Sequence, residues 1–224
     1  MKKKVFVSAS ILSADFLNLE SDLKNMESCG IDYHHMDVMD GHFVDNLSFG
    51  LRFIESVKKV ASVPLDVHLM ISNPDTMATR YVDVGADMLS FHIEATHNPV
   101  RLIERLKEKN SNLKVGVSFN PDTPVEMLSL CLKHIDFINL MSVYPGYSGQ
   151  SFIESSFEKV KKLNEYLIDL GLRDNILIEI DGGVGDKNAG KLVESGVDIL
   201  VSGNFIYKKV NEDRKNAVKS LKCG

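Results

Sequence analysis

Cysteine and long apolar runs are both scarce in this chain. Its three cysteines, Cys29, Cys131 and Cys223, are isolated and form no C-x-x-C pair, so we expect neither a disulfide framework nor a thiolate metal site. No stretch approaches about 18 uncharged apolar residues, which argues against a membrane span. The apolar run after the basic residues 2–4 is too short for a signal peptide. The sequence therefore predicts a protein of the reducing cytoplasm.

An excess of basic charge is also missing. Lys and Arg number 26 against 31 Asp and Glu, which gives a formal net charge of -5. This balance argues against a nucleic acid or an anionic membrane as a partner. It leaves an anionic small substrate open, because backbone N–H groups at a helix start can hold a phosphate.

Linkers and low-complexity tracts are absent as well, so residues 1–224 are predicted to form one domain. Short apolar runs alternate with segments of helical periodicity from end to end. The predicted strands are residues 5–9, 33–38, 65–70, 88–93, 114–119, 137–143, 176–181 and 199–202. Eight β-then-α units favour a single-domain α/β fold, the (β/α)8 TIM barrel, and a doubly wound open sheet is the alternative.

Helical stripes recur between these strands, at residues 16–27, 53–60, 100–106 and 157–170. Pro124 after Thr123 is typical of a helix start, with Thr123 as the N-cap. Gly171 and Gly196 stand where helices should end. Residues 211–224 have a helical pattern and are predicted to be peripheral.

Ionisable side chains collect where the predicted strands end. Because alternate residues of a strand share a face, His35 and Asp37 point the same way. His68 lies on the third predicted strand, on the same face as Asp66 and Met70, and Asp181 ends the seventh. Some of these groups could be buried hydrogen-bonding partners, since a polar group inside a barrel is costly unless it is paired or binds a ligand. Together they would offer imidazole nitrogens and carboxylate oxygens to one divalent metal ion, and that set suits Zn, Fe(II), Mn or Co without selecting among them.

Glycine-rich loops follow the last three predicted strands. They contain Gly146 and Gly149, then Gly182-Gly183, then Gly203. Glycines let the backbone approach a ligand, and loops after the last strands of such barrels often hold a phosphate. No cluster of Arg or Lys is apparent in these loops, so backbone dipoles are predicted to carry the binding.

A metal site beside two carboxylates, with a phosphate grip further away, suggests chemistry on a sugar phosphate. Removing a proton next to a ketone needs help, which a Lewis acid provides as an enediolate develops. Asp37 and Asp181 on opposite sides of that planar species could take a proton from one face and return one to the other. The outcome of such a pair of transfers is epimerisation.

At these residues the chain resembles the ribulose-phosphate 3-epimerase family, over nearly its whole length. The matching stretches are residues 10–16 (SILSADF), 35–44 (HMDVMDGHFV), 66–70 (DVHLM), 140–143 (LMSV), 145–146 with 149–150 (PG and GQ) and 181–184 (DGGV).

The resemblance implies a metal held by His35, Asp37, His68 and Asp181, and it implies Asp37 and Asp181 as the acid–base residues of an isomerase. It further implies that Ser10 and His68 contact the substrate. The phosphate would be bound by Gly146, Tyr147, Ser148, Gly149, Gly182, Gly183, Gly203 and Asn204. Met39, Met70 and Met141 would line the pocket. A small sugar phosphate as substrate and a homo-oligomer as assembly also follow from the resemblance.

Departures from the family pattern lie at the pocket rim. They are Ala9, Asp45, Tyr144, the pair Tyr147-Ser148, and Asn204. None removes a predicted metal ligand or proton carrier, but they leave the sugar open between D-ribulose 5-phosphate and a hexulose 6-phosphate such as D-allulose 6-phosphate. Two other classes remain as alternatives: a sugar-phosphate lyase, for which the strand ends lack an inward lysine, and a non-catalytic phosphosugar- or metal-binding barrel. His42 and His92 lie near the predicted site and receive no chemical step.

Overall fold

Eight parallel strands close into a barrel in the order of the chain. In this computed structural model residues 4–222 are described, and Lys2, Lys3 and Cys223 of the sequence analysis lie outside the described residues. The strands are β1 Phe6–Ser10, β2 Tyr33–Met39, β3 Leu65–Met70, β4 Met88–His92, β5 Lys114–Phe119, β6 Phe137–Met141, β7 Leu177–Asp181 and β8 Ile199–Ser202. All eight predicted strands are confirmed; β3, β5 and β8 have the predicted bounds, and the ends of the other five differ by one or two residues.

Closure of the barrel decides between the two predicted architectures. β1 pairs with β2, where Ser10 is opposite His35, and also with β8, where Phe6 is opposite Ile199. An open doubly wound sheet would leave two strands with a free edge, so that alternative is wrong. The C-terminal ends of all eight strands therefore meet at one face, which is where barrels of this kind carry their sites.

Helices cover the outside of the barrel. They are α1 Leu19–Ser28, α2 Leu51–Val60, α3 Pro74–Asp83, α4 Pro99–Lys109, α5 Ser156–Asp169, α6 Ala189–Glu194, α7 Asn204–Tyr207 and α8 Asn211–Lys222. α5 shows why these segments are helical, because it buries Val160, Leu163 and Leu167 at spacings of three and four. Gly171 and Gly196 follow α5 and α6 with φ of 67° and 118°, the left-handed conformation that ends a helix. Within residues 4–222 no helix has both the length and the apolar character that crossing a bilayer requires.

The helix layer differs from the sequence prediction in three places. α3 was not predicted; it begins at Pro74 and buries Tyr81 and Val82. Pro124 precedes only a short 3₁₀ helix, Val125–Leu128, and Thr123 is not its N-cap, because the Thr123 hydroxyl donates to Glu94 instead. The C-terminal segment is not peripheral either.

That C-terminal segment, α8, packs against the barrel. Val218 and Leu221 are buried, and the Arg214 guanidinium donates to the carbonyl of Tyr207 at 3.0 Å. The prediction of a peripheral tail failed because the helix is highly charged overall while one narrow face is apolar. A helix of this composition can still bury a stripe at spacings of three and four.

Polar side chains fill the middle of the barrel, where aliphatic residues are usual. These fully buried residues come from seven strands: Ser8, His35, Asp66, Ser90, Ser118, Asn139 and Glu179. The aliphatic core instead lies between the strands and the helices. His34 is a polar residue in this outer layer. Its ring points outward from β2, as strand parity predicts, and its Nε2 lies 3.1 Å from Glu27 Oε1 on α1.

Candidate active site

Strands β2, β3 and β7 bring two imidazoles and two carboxylates together at the C-terminal face. His35 Nε2 lies 3.2 Å from Asp37 Oδ1 and 3.5 Å from Asp181 Oδ2. His68 Nδ1 lies 3.4 and 3.5 Å from the same two oxygens. One ligand atom from each of the four residues lies within 4.8 Å of the others. The four side chains predicted to share a metal ion therefore face one another.

The donor atoms of this cluster fit a divalent metal ion. His35 Nε2 and His68 Nδ1 are both buried and make no hydrogen bond, which is costly unless a ligand pairs with them. First-row divalent metals bind imidazole nitrogen and carboxylate oxygen at about 2.0–2.2 Å. Donors separated by less than 4.8 Å can converge on one ion at such distances. The absence of sulfur among them argues against a purely structural zinc.

Electrostatics also favour a cation at this point. Burial disfavours charge on His35, but Asp66, Asp37 and Asp181 raise its pKa well above the usual range. Burial likewise opposes ionisation of the two site carboxylates, yet the neighbouring imidazoles keep the pKa of Asp37 and of Asp181 below its ordinary value. The site therefore concentrates negative charge in a buried place, and it attracts either a proton or a metal ion.

The His35 nitrogen that faces away from Asp37 and Asp181 is held by the Asp66 carboxylate. This nitrogen, Nδ1, lies 2.7 Å from Asp66 Oδ2, and that oxygen also accepts from the Ser8 hydroxyl at 2.9 Å. Burial and then the Asp66 carboxylate raise the pKa of Glu179 well above its usual range. The Glu179 carboxyl group therefore resists ionisation in the barrel interior.

The histidines without a predicted role have separate environments. His42 is exposed, and its Nδ1 donates to the Asp40 carbonyl at 2.9 Å. His92 is fully buried beside His68, and burial lowers its pKa to about 4. Burial works against the Glu94 carboxylate, but hydrogen bonds from His92, Asn120 and Thr123 lower its pKa to about 2. At neutral pH the structure thus holds an uncharged His92 beside an ionised Glu94.

Asp37 is fixed at its second oxygen. The Ser10 hydroxyl donates to Asp37 Oδ2 at 2.7 Å, which leaves Oδ1 toward the imidazoles. Met39 and Met70 pack together with Val44, and both methionines line the same cavity as Asp37. Part of the cavity wall is therefore apolar and polarizable.

A cavity of about 760 Å³ opens beside the cluster. Sequence-predicted site residues line it, namely Ser10, Asp37, Met39, Met70, Met141, Gly146, Tyr147, Ser148, Gly149, Asp181, Gly182, Gly183, Gly203 and Asn204. Of the predicted site residues, only His35 and His68 do not reach its surface, since both are buried behind the two carboxylates. The volume suits a small ligand.

At two glycines that line this cavity there is no room for a side chain. Gly183 has φ of 65°, and a Cβ there would lie 2.6 Å from the Phe152 backbone nitrogen. Gly149 has φ of 82°, and a Cβ would meet Asn204 Nδ2 at 2.3 Å. The loops after β6, β7 and β8 can therefore approach each other, and a ligand, only through bare backbone.

Basic side chains also line the cavity, although the glycine loops themselves contain no cluster of Arg or Lys. Lys187, Lys191 and Lys208 all reach it and all are exposed. No local pattern in the sequence groups these lysines, because they follow the glycines by several residues and belong to different segments. The one feature they share is that each lies in the segment after β7 or β8.

Comparison with known proteins gives one consistent result. The model of the ribulose-phosphate 3 epimerase family matches residues 6–207. A ribulose-phosphate 3-epimerase from Bacillus subtilis is 42% identical over 216 residues, which covers 96% of this chain and 97% of that protein. One from Methanocaldococcus jannaschii is 38% identical over 216 residues, which covers 96% of this chain and 89% of that protein.

A solved structure is similar in fold. The crystal structure of KGPDC from Streptococcus mutans superposes with a TM-score of 0.73 at 15% identity, and covers 99% of this chain and 97% of that one. At this identity the likeness concerns the barrel alone.

Proposed function

The chain belongs to the ribulose-phosphate 3-epimerase family, and on this basis we propose that it interconverts D-ribulose 5-phosphate and D-xylulose 5-phosphate by inverting carbon 3. The observation that carries the proposal is the position of the two carboxylates. Asp37 and Asp181 come from β2 and β7, which are not neighbours in the barrel, and their oxygens approach the same two imidazoles.

The acid–base roles follow from this placement. Asp37 accepts the proton from carbon 3 on one face of the substrate, which gives an enediolate. Asp181, which must be protonated when this direction of the reaction begins, gives its proton to carbon 3 on the other face, so the cycle ends with Asp37 protonated and Asp181 ionised. In the reverse direction the two exchange roles. The Ser10 hydroxyl holds Asp37 in place and contacts the substrate. The predicted substrate contact of His68 is not supported, because that imidazole does not reach the cavity surface. The methionines Met39, Met70 and Met141 form an apolar wall that keeps water from the carbanion.

The metal centre is proposed at His35, Asp37, His68 and Asp181. When bound, one divalent ion, whether Zn, Fe(II), Mn or Co, supplies Lewis-acid stabilisation of the charge that develops on the substrate oxygens. The phosphate is proposed to bind at the opposite end of the cavity, to the backbone of the three glycine loops and to Tyr147, Ser148 and Asn204.

Turnover and hydrogen exchange at carbon 3 test the mechanism. We expect Asp37→Asn and Asp181→Asn each to lower turnover by about 10²–10⁴-fold and to abolish exchange of the carbon-3 hydrogen with deuterated solvent. Asp174→Asn, which neutralises an exposed carboxylate in the segment before β7, is the control and keeps full turnover. Near-normal turnover in either site variant would exclude the two-carboxylate mechanism.

A hexulose 6-phosphate such as D-allulose 6-phosphate is the second candidate substrate. It is supported by the 760 Å³ cavity and by the departures at Tyr147, Ser148 and Asn204 from the family pattern. A panel of ribulose 5-phosphate and several hexulose 6-phosphates, with and without a chelator, decides between them by kcat/KM. A borohydride-trappable imine in the same panel would instead support the lyase alternative.

We further propose a homo-oligomer. Leu17 and Leu47 are 94% and 73% exposed, and Phe16 packs edge-on to Phe49 beside them, with ring centroids 5.9 Å apart. Apolar surface of this kind favours association. Light scattering should give a molar mass greater than that of one chain for the unaltered protein and a smaller molar mass for Leu17→Glu. If the unaltered protein has the mass of a single chain even at high concentration, the proposal is wrong.

We propose a cytoplasmic location because the described cysteines form no disulfide with each other. Cys29 and Cys131 do not pair with each other, and burial raises the pKa of Cys131 to about 11, so its thiol is inert. Fractionation of host cells tests the location.

A further inference from the structure

We propose that Glu94, acting through His92, is a positioning residue that keeps Nδ1 of His68 free of hydrogen and available to a metal ion. This inference rests on the metal centre proposed above. It assigns a purpose to two buried or half-buried groups that the proton-transfer scheme does not use.

The contacts form a chain that leads away from the site. His68 Nε2 lies 2.9 Å from His92 Nε2, and the two rings are nearly parallel, with centroids 5.0 Å apart. His92 Nδ1 lies 3.1 Å from Glu94 Oε2. Both imidazoles are fully buried, so solvent cannot substitute for a missing hydrogen bond in this chain.

When both imidazoles are neutral, as a metal-binding His68 must be, only one arrangement of hydrogens satisfies every member of the chain. Two imidazole nitrogens at 2.9 Å share a single hydrogen, so one donates and the other accepts. If His92 Nε2 were the donor, its bare Nδ1 would face the Glu94 carboxylate, and two acceptors would oppose each other. The carboxylate therefore keeps the hydrogen on His92 Nδ1, and His92 Nε2 accepts from His68 Nε2. Neutral His68 then has no hydrogen on Nδ1, the atom that faces Asp37 and Asp181.

Glu94 is itself held in place. Its Oε1 accepts the Asn120 backbone N–H at 2.8 Å and the Thr123 hydroxyl. The Phe43 ring lies 4.7 Å from the ring of His92 and restrains it from the other side. The chain is therefore anchored on the loop after β5, and outer partners of this kind typically contribute 10–100-fold to metal affinity.

The other imidazole of the site has a shorter support. His35 Nδ1 reaches the Asp66 carboxylate directly at 2.7 Å, whereas His68 reaches a carboxylate only through a second imidazole. Both imidazoles need a hydrogen fixed on the nitrogen that faces away from the metal. Asp66 fixes it directly on His35, and Glu94 fixes it on His68 through His92.

Metal affinity of three variants tests the proposal, measured with Zn²⁺ and with Mn²⁺ by competition with a chromophoric chelator. Glu94→Gln can turn its NH₂ toward His92 Nδ1 and reverse the chain, and we expect about 10–100-fold weaker binding. His92→Phe keeps an aromatic ring but cannot accept from His68, and a similar loss is expected. His92→Gln offers a carbonyl to His68 and an NH₂ to Glu94, and it should recover most of the affinity.

The order of the two His92 variants separates positioning from packing. If His92 only filled space against Phe43, the aromatic replacement would bind metal better than His92→Gln. A matched control is the pair His34 and Glu27, also a buried imidazole with a carboxylate at 3.1 Å but on the helix side of β2. Glu27→Gln should leave metal affinity unchanged, and thermal unfolding of each metal-free variant shows that it is folded.

Two results would overturn the inference while the proposed function stands. They are unchanged affinity in Glu94→Gln and His92→Phe, and weaker binding by His92→Gln than by His92→Phe. If the unaltered protein bound neither metal, the proposed metal centre would fail and this inference would fail with it.

Discussion

His35 Nδ1 lies 2.7 Å from Asp66 Oδ2, and this contact turns the other nitrogen of the ring toward Asp37 and Asp181. A ring that binds a metal ion must be neutral, and in the neutral ring the Asp66 carboxylate accepts the hydrogen on Nδ1 and leaves the lone pair on Nε2. A contact of this kind fixes a metal-binding imidazole both in orientation and in protonation.

Asp66→Asn should therefore weaken divalent metal binding by about 10–100-fold, because an amide can present either its oxygen or its NH₂ to His35. Chelator competition on the folded, metal-free variant measures this. Ser8→Ala removes the second donor to the same oxygen but keeps the contact with His35, and its affinity should change by less than about threefold. Equal affinity of Asp66→Asn and the unaltered protein would show that Asp66 does not orient the ring.

Gly183→Ala should impair substrate binding, whereas Gly171→Ala should not. Both glycines have nearly the same φ, 65° and 67°, so both substitutions cost about 1–2 kcal/mol of backbone strain. A Cβ at Gly171 meets nothing within 4 Å, but one at Gly183 meets the Phe152 backbone nitrogen at 2.6 Å. We expect KM for the sugar phosphate to rise by about tenfold or more in Gly183→Ala and to stay constant in Gly171→Ala. Equal kinetics in the two variants would argue against a phosphate site at this loop.

Acid should remove a stabilising contribution of Asp40. Burial alone would raise its pKa, but the backbone N–H groups of Ser72, Phe43 and His42 lower it to about 2. Because the folded-state pKa lies below the unfolded value of about 3.9, the stabilisation is complete above that value and is lost as pH falls toward 2.

Asp40→Asn should accordingly lower the free energy of unfolding by about 1 kcal/mol at pH 7, and the difference from the unaltered protein should shrink at pH 3. Urea denaturation of both proteins at the two pH values checks this. Asp45→Asn in the same loop serves as the control for the change of charge. A difference that stays constant with pH would mean that the contribution of Asp40 is not that of its ionised form.

The lysines at the cavity should attract the phosphate electrostatically. Lys208→Ala should lower kcat/KM by about two- to fivefold at low ionic strength, with less effect above about 0.5 M salt, where exposed charges are screened. kcat should be unchanged because the lysine lies away from the two carboxylates. Lys133→Ala, an exposed lysine outside the cavity, should behave like the unaltered protein. An effect of Lys208→Ala that does not depend on salt would contradict attraction at a distance.

Much of the fold and part of the site could be predicted because their signals are local. A strand repeats every two residues, so the order of His34, His35 and Asp37 decides which side chains face the barrel interior. The helix stop at Gly171 depends on one residue's freedom to adopt positive φ. The apolar face of α8 is hard to predict because charged residues dominate that segment. In α3 the stripe is weak for another reason, since the small residues Pro74 and Ala78 occupy part of its buried face.

The sequence by itself determined the alternation of strands and helices, the side of β2 that carries His35 and Asp37, and the chemical set from which a metal site can be built. Only the tertiary structure decided that β1 closes on β8 and that Asp37 and Asp181 approach the same imidazoles. It also decided that Glu94 supports His92 and that three dispersed lysines reach one cavity. The reason is physical: periodicity and turn chemistry act over a few residues, whereas these relationships depend on barrel closure, which brings together segments that no local pattern connects.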